Sequence, residues 1–206
     1  MTQPLEFWIG YGSTYSYLSV MRIDALTEGA GVPLVWKPFN IRALMIEKGL
    51  PTGPFVPRPE KLAYMWRDLE RRAQRRGLPY AKPPLYPVDT QATVRVALLA
   101  AEEGWCSEFS RRVFHMNFAE GRAMGVPGNL EAALRDIVRD AAATIARAHE
   151  PDIESALAAQ TRTAIDIGVF GSPTFRVGEE LFWGDDRLED ALEWARTGRL
   201  SVRESV

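Results

Sequence analysis

Apolar positions along this chain follow two rhythms. Near the N-terminus Leu5, Phe7, Trp8 and Ile9 form a short run of strand formers, broken by Gly10 and Gly12. From Thr14 to about Glu28 the spacing turns helical, with Tyr17, Leu18, Met21 and Ala25 on one face. The segment GAGVP (29–33) supplies a glycine stop followed by proline. LVWKPF (34–39) then reads as a second strand. A β-α-β unit predicts parallel strands joined by a right-handed crossover.

Strand signals stop after Phe39. Prolines crowd 51–59 and 79–87, too densely for helix interiors. Between them Leu62, Met65, Trp66, Leu69 and Ala73 mark a helix by their spacing. Further helices are expected over 88–103, 106–120, 129–149 and 151–167. In the one over 129–149, Leu130, Leu134, Ile137, Ala141 and Ile145 share a face, and Asn129 can cap it. TFRV (174–177) and ELFW (180–183) predict a hairpin turning at Gly178. A closing helix follows, with Leu188, Ala191, Leu192 and Ala195 inward. The layout is α/β: β-α-β, a long helical block, then β-β-α, with no internal repeat.

With 206 residues and 46% apolar content, the chain fits one compact domain or one domain carrying a large insertion. Twenty-five basic against 27 acidic residues leave a net charge of −2, which predicts no nucleic-acid partner and no membrane surface. No apolar run approaches the roughly 20 residues that span a bilayer. The start of the chain lacks the basic-then-apolar pattern of a secretory signal, so a cytoplasmic location is expected. Cys106 stands alone, which excludes an internal disulfide and any multi-cysteine metal site. His115 and His149 have no partner at metal-ligand spacing, so no metal is expected. Arg67, Arg71, Arg72, Arg75 and Arg76 interleave with acids and read as a solvated helix face.

Three stretches carry candidate chemistry. The first is GSTYSYL, where Ser13 and Ser16 sit at a strand-to-helix junction, spaced Ser-x-x-Ser. Ser13 or Thr14 can cap the helix. Alternatively Ser13, which has no evident base, donates a hydrogen bond to a thiolate that arrives with a ligand, helped by the helix N-terminus. The second is VFGSPTF, where Pro173 enters a strand: an ordinary trans edge proline, or a cis bond that turns the Ser172 backbone toward an extended peptide. The third is FWGDDRL, where Asp185 or Asp186 caps the last helix or pairs with a ligand ammonium.

Together, STYSYL, KLAYMWRDLERRAQRRGLPY and DIGVFGSPTFRVGEELFWGDDRLEDAL resemble the 2-hydroxychromene-2-carboxylate isomerases, relatives of kappa-class glutathione transferases. The resemblance covers nearly the whole chain. It implies a DsbA-like thioredoxin fold, with a thioredoxin-like domain from 1–42 and 168–206 and an inserted helical domain over 43–167. It implies glutathione as cofactor and a cytoplasmic homodimer acting on a small aromatic carboxylate or electrophile. Ser13 would contact the glutathione sulfur, where redox relatives carry the attacking cysteine, and Ser16 matches the second position of that pair. Ser172, ahead of Pro173, would pair with the cysteinyl backbone. Trp183, Gly184, Asp185 and Asp186 match the loop for the γ-glutamyl end, with Asp186 on the ammonium. Lys61 would reach glutathione from the insertion.

Two departures stand out. Thr14 replaces a proline that these isomerases usually carry, and Pro54 and Pro57 fall about where relatives carry asparagines. Arg58 beside them can clamp a substrate carboxylate. Tyr15, Trp36, Phe39, Tyr64 and Phe170 are candidates for an apolar wall or for plain core. Three activities compete: a glutathione-dependent isomerase, a kappa-like transferase, and a non-catalytic thioredoxin-like binding module. Serine at both junction positions excludes a dithiol oxidoreductase.

Overall fold

The structure, a computed structural model, describes residues 2–202. Strand β1 (Leu5–Ile9) lies between β2 (Leu34–Pro38) and β3 (Thr174–Val177). β4 (Glu180–Trp183) completes a four-stranded sheet in the order β2-β1-β3-β4. β1 and β2 are parallel, with Leu5 opposite Leu34. The β1–β3 and β3–β4 pairs are antiparallel, with Phe7 opposite Phe175 and Phe175 opposite Phe182.

The two-residue period of β1 sorts its side chains between two apolar layers. Leu5, Phe7 and Ile9 enter the main core, where Phe7 packs on Trp36 at 5.0 Å and on Phe175 at 5.2 Å between ring centroids. Trp8 points the other way, into a smaller cluster with Phe39, Leu44, Ala164 and Val169. Both faces are therefore covered, which suits a strand that is apolar almost throughout.

The expected helix over 14–28 is instead two, α1 (Ser16–Val20) and α2 (Ile23–Ala30). Arg22 breaks the run: its φ of −137° leaves the helical region, and its guanidinium reaches across to Asp185. A short α3 (Ile41–Glu47), not expected from the sequence, follows β2 and is capped by the Asn40 side chain at Ala43 N–H, 3.1 Å. α4 (Pro59–Arg75) matches its apolar spacing and begins on a proline, as helix starts favour. α5 (Gln91–Glu103) is buried on nearly every side from Val96 to Ala100, and packs against α6 (Cys106–Phe118) and β2.

The helix expected over 129–149 also divides, into α7 (Pro127–Leu134) and α8 (Ala141–Arg147). Asp136 takes a φ of 66° between them, and Asp140 opens α8 by accepting from Ala143 N–H at 2.9 Å. Asn129 is no cap; it lies inside α7 and donates to the Ala123 carbonyl at 3.0 Å. α9 (Pro151–Asp166) leads back to β3. After β4, a 3₁₀ turn (Asp185–Arg187) runs into α10 (Leu188–Thr197). No helix among the described residues is long and apolar enough to cross a membrane.

One buried carboxylate ties the helical block to the sheet end of the molecule. Asp185 is 3% exposed and accepts from Ser19 Oγ at 2.9 Å, Arg22 Nη2 at 3.1 Å and Arg76 Nη2 at 2.5 Å. Those partners sit on α1, between α1 and α2, and just past α4. Both carboxylate oxygens are thus charge-paired, which is the condition for a buried charge to be tolerated. Asp185→Asn should lower the unfolding free energy by about 3 kcal/mol, because two guanidiniums lose their shared partner. Glu189 pairs with the same arginines, but its side chain is 49% exposed. Glu189→Ala should therefore lose less than about 1 kcal/mol. Urea denaturation measures both, and equal losses would contradict the assignment.

Candidate active site

β1 ends at Gly10, where the chain passes so close to α3 that a Cβ would lie 2.5 Å from Ile41 Cβ. Glycine is required there for close approach. The loop that follows carries Ser13 to the bend before β3. Ser13 Oγ donates to the Ser172 carbonyl at 2.6 Å. The Ser172 hydroxyl accepts from Gly10 N–H at 2.8 Å and meets Ser16 Oγ at 2.9 Å. The Ser172–Pro173 peptide is cis. Ser172 N–H makes no hydrogen bond among the described residues.

The capping alternative for Ser13 and Thr14 does not hold. Tyr15 occupies the N-cap of α1, which receives no side-chain cap. Thr14 is buried and turns its hydroxyl to Met65 Sδ at 3.3 Å. With five residues, α1 also carries too few aligned peptides for a strong macrodipole. The electrostatics expected of a helix N-terminus therefore rest mainly on hydroxyl donors.

Pro173 is joined to the end of β4 by Gly184 N–H, which donates to its carbonyl at 2.9 Å. Gly184 has a φ of 112°, a backbone conformation reserved in practice for glycine. Trp183 lies on the Gly171 backbone and against Phe170, with ring centroids 4.9 Å apart. Both rings are about half exposed, as is Tyr64 on α4. Of the aromatic wall candidates, Phe39 is fully buried core, and Trp36 is half-buried against Phe7.

The adjacent acids differ sharply. The Asp185 carboxylate is turned inward and fully engaged, as described above. Asp186 is half exposed, with Arg187 at 3.4 Å as its ion partner. Neither caps α10, whose N-cap is Arg187 without a side-chain bond.

Helix α4 lies over this region with one stripe, at the helical spacing of three or four residues. Met65 meets Thr14, and Asp68 accepts from Tyr15 Oη at 2.9 Å and Arg72 Nε at 2.7 Å. Arg76, just past the helix, reaches Asp185. Burial, with the bond to Asp68, holds the Tyr15 phenol well above its ordinary pKa, so it stays a neutral donor. Lys61 begins the stripe one turn before Met65, exposed, with Nζ 5.3 Å from the Phe55 ring. Arg58 sits exposed at the N-cap of α4. Thus Ser13, Ser16, Ser172 and Pro173 are in direct contact, and Gly184 is bonded to Pro173. Among the described residues, neither Lys61 nor Arg58 hydrogen-bonds to the serines.

Reading the arginine cluster as a solvated face is half right. Arg67, Arg71 and Arg75 are exposed, whereas Arg72 and Arg76 are half-buried and ion-paired. The four-residue spacing of Arg72 from Asp68 was the available signal for that pair. A cleft of about 220 Å³ between α3, α5 and α9 had no signal in the sequence. Its arginines are paired within it, Arg95 to Glu154 at 2.8 Å and Arg162 to Glu47 at 3.2 Å.

Cys106 is buried beside Ser110 and Tyr11, and burial pushes its thiol up to about 12. A group raised this far stays protonated at neutral pH. At pH 8 the thiolate fraction is roughly one in ten thousand, so a disulfide reagent should label Cys106 only as fast as the protein unfolds. Rapid labelling of the native protein would contradict this placement.

The sheet order β2-β1-β3-β4, with a long helical block between β2 and β3, is the layout that the resemblance implied. The family model of the DSBA-like thioredoxin domain matches residues 4–193, and the chain belongs to that family. Among its relatives is a 2-hydroxychromene-2-carboxylate isomerase from Sphingobium xenophagum, 26% identical over 193 residues, covering 92% of this chain and 96% of the relative. A solved 2-hydroxychromene-2-carboxylate isomerase superposes with a TM-score of 0.81 at 26% identity, covering 93% of each chain. Glutathione S-transferase kappa 2 from Caenorhabditis elegans is 24% identical over 205 residues, covering 92% of this chain and 90% of that one.

Proposed function

We propose that this chain is a glutathione-dependent isomerase of the 2-hydroxychromene-2-carboxylate type, acting on small aromatic carboxylates from ring degradation. The observation that carries the reading is the Ser172 backbone. Its N–H is unpaired among the described residues, and its carbonyl accepts a side-chain hydroxyl rather than a neighbouring strand. Such a segment offers a short extended peptide a strand-like partner, with a serine at the position of a sulfur. A peptide thiol fits this donor set. The isomerase and transferase relatives, matched over most of their length, support the same choice.

In this reading Ser172 holds the cysteinyl backbone, and Ser13 turns its hydroxyl from the Ser172 carbonyl to the sulfur. Donation to the anion favours the charged form. Asp186 takes the γ-glutamyl ammonium from the open side, beside Trp183 and Gly184. Asp185 anchors that loop through Arg22 and Arg76. Lys61 approaches from α4, and Arg58 clamps the substrate carboxylate. Glutathione, when bound, supplies a thiolate able to add reversibly to a conjugated double bond. The chain's own part is to hold that anion, orient the carboxylate and shield both with Tyr64, Phe170 and Trp183. Residues 43–167 act as a helical cover inserted into a core formed by the described residues of 1–42 and 168–206. A cytoplasmic homodimer belongs to the same proposal.

A kappa-like transferase is the second reading, favoured by the Caenorhabditis elegans relative. The two separate in one assay with an unsaturated aromatic pyruvate and a chlorinated nitrobenzene. Turnover that requires glutathione and leaves its concentration unchanged is expected. Stoichiometric loss of glutathione would mean conjugation, and no turnover of either compound would leave a binding module. Ser13→Ala should lower kcat about a hundredfold to a thousandfold, as loss of one donor to a reacting anion does.

A further inference from the structure

The hydroxyl protons around Ser172 can be assigned by elimination. Ser16 is completely buried, and among the described residues its Oγ meets Ser172 Oγ alone. A buried hydroxyl proton is rarely left without an acceptor. The Ser16 proton therefore goes to Ser172 Oγ. Gly10 N–H already donates to the same oxygen at 2.8 Å. A serine oxygen has two lone pairs and one proton. Both lone pairs are then taken from inside, and the Ser172 proton has no acceptor among the described residues.

Reversing the Ser16–Ser172 bond would strand the Ser16 proton in a buried position. Leaving the free proton on Ser172 is easier, because Ser172 is only half-buried. Ser13 differs: its proton is already given to the Ser172 carbonyl at 2.6 Å. Of the three hydroxyls at the site, Ser172 alone arrives with a donor to spare.

We propose that the Ser172 side chain is a second hydrogen-bond donor to the ligand's sulfur anion, free from the outset, with Ser16 and Gly10 aiming it. This rests on the functional reading above and deepens it. That reading gives Ser172 a role through its backbone; the side chain adds a separate one. The donor is oriented before the ligand arrives, so no internal bond must break to use it. Preorganised donors of this kind are the effective ones for stabilising an anion.

The test is a pH titration of bound glutathione by thiolate absorbance, in the wild type and in Ser172→Thr and Ser172→Val. Threonine and valine have nearly the same outline and differ by the hydroxyl. The Thr variant should titrate like the wild type. The Val variant should titrate about one pKa unit higher, a tenfold loss of thiolate near neutrality. Affinity for S-methylglutathione, which carries no thiolate, should stay within about twofold in both variants, since neither backbone contact changes. Equal titration of Val and Thr variants overturns the inference. So does a parallel loss of S-methylglutathione affinity in the Val variant, which would make Ser172 a structural clamp only. A wild type that binds glutathione without lowering its thiol pKa, or fails to bind it, overturns the functional reading itself and this inference with it.

Discussion

Three polar groups converge on one residue: Gly10 N–H and Ser16 Oγ on the Ser172 hydroxyl, Ser13 Oγ on the Ser172 carbonyl. This knot joins the end of β1 and the start of α1 to the bend that opens β3. The knot also explains why hydroxyls suit this place. A thiol pair would make poorer hydrogen bonds to the carbonyl and the hydroxyl of Ser172. Serines satisfy these groups from both sides.

A second set of contacts makes the site an interface between two parts of the chain. The stripe of α4 meets Thr14 through Met65 and Tyr15 through Asp68, and Arg76 beyond the helix meets Asp185. These contacts grow more polar toward the C-terminal end of the helix. Packing lies against the serines, and ion pairs lie against the 3₁₀ turn. Asp185 is the far anchor. Its burial fixes the loop that presents Trp183, Gly184 and Asp186, so a residue without a free oxygen still shapes the site.

The ends of the chain were legible because local rules govern them. The run of strand formers in β1, the Gly-Pro stop after α2 and Gly178 in the hairpin all act within a few residues. Helix α4 was legible from its apolar spacing. The helix breaks were not, because Arg22 and Asp136 leave helical geometry for reasons no periodicity carries; Arg22 answers an acid 163 positions away. The serine pair could be located but not interpreted. Whether Ser13 caps a helix or bonds a carbonyl depends on Ser172, 159 residues on. Arg76 was missed for the same reason, since its partner lies 109 residues downstream.

The central claim is that the Ser172 knot forms a seat for a peptide thiol. A crystal structure of the protein with glutathione tests it most directly. The account predicts the cysteinyl backbone paired with Ser172 and the sulfur within hydrogen-bond distance of the Ser13 and Ser172 hydroxyls. Density for the tripeptide elsewhere, with Ser13 still bonded to the Ser172 carbonyl, would contradict it.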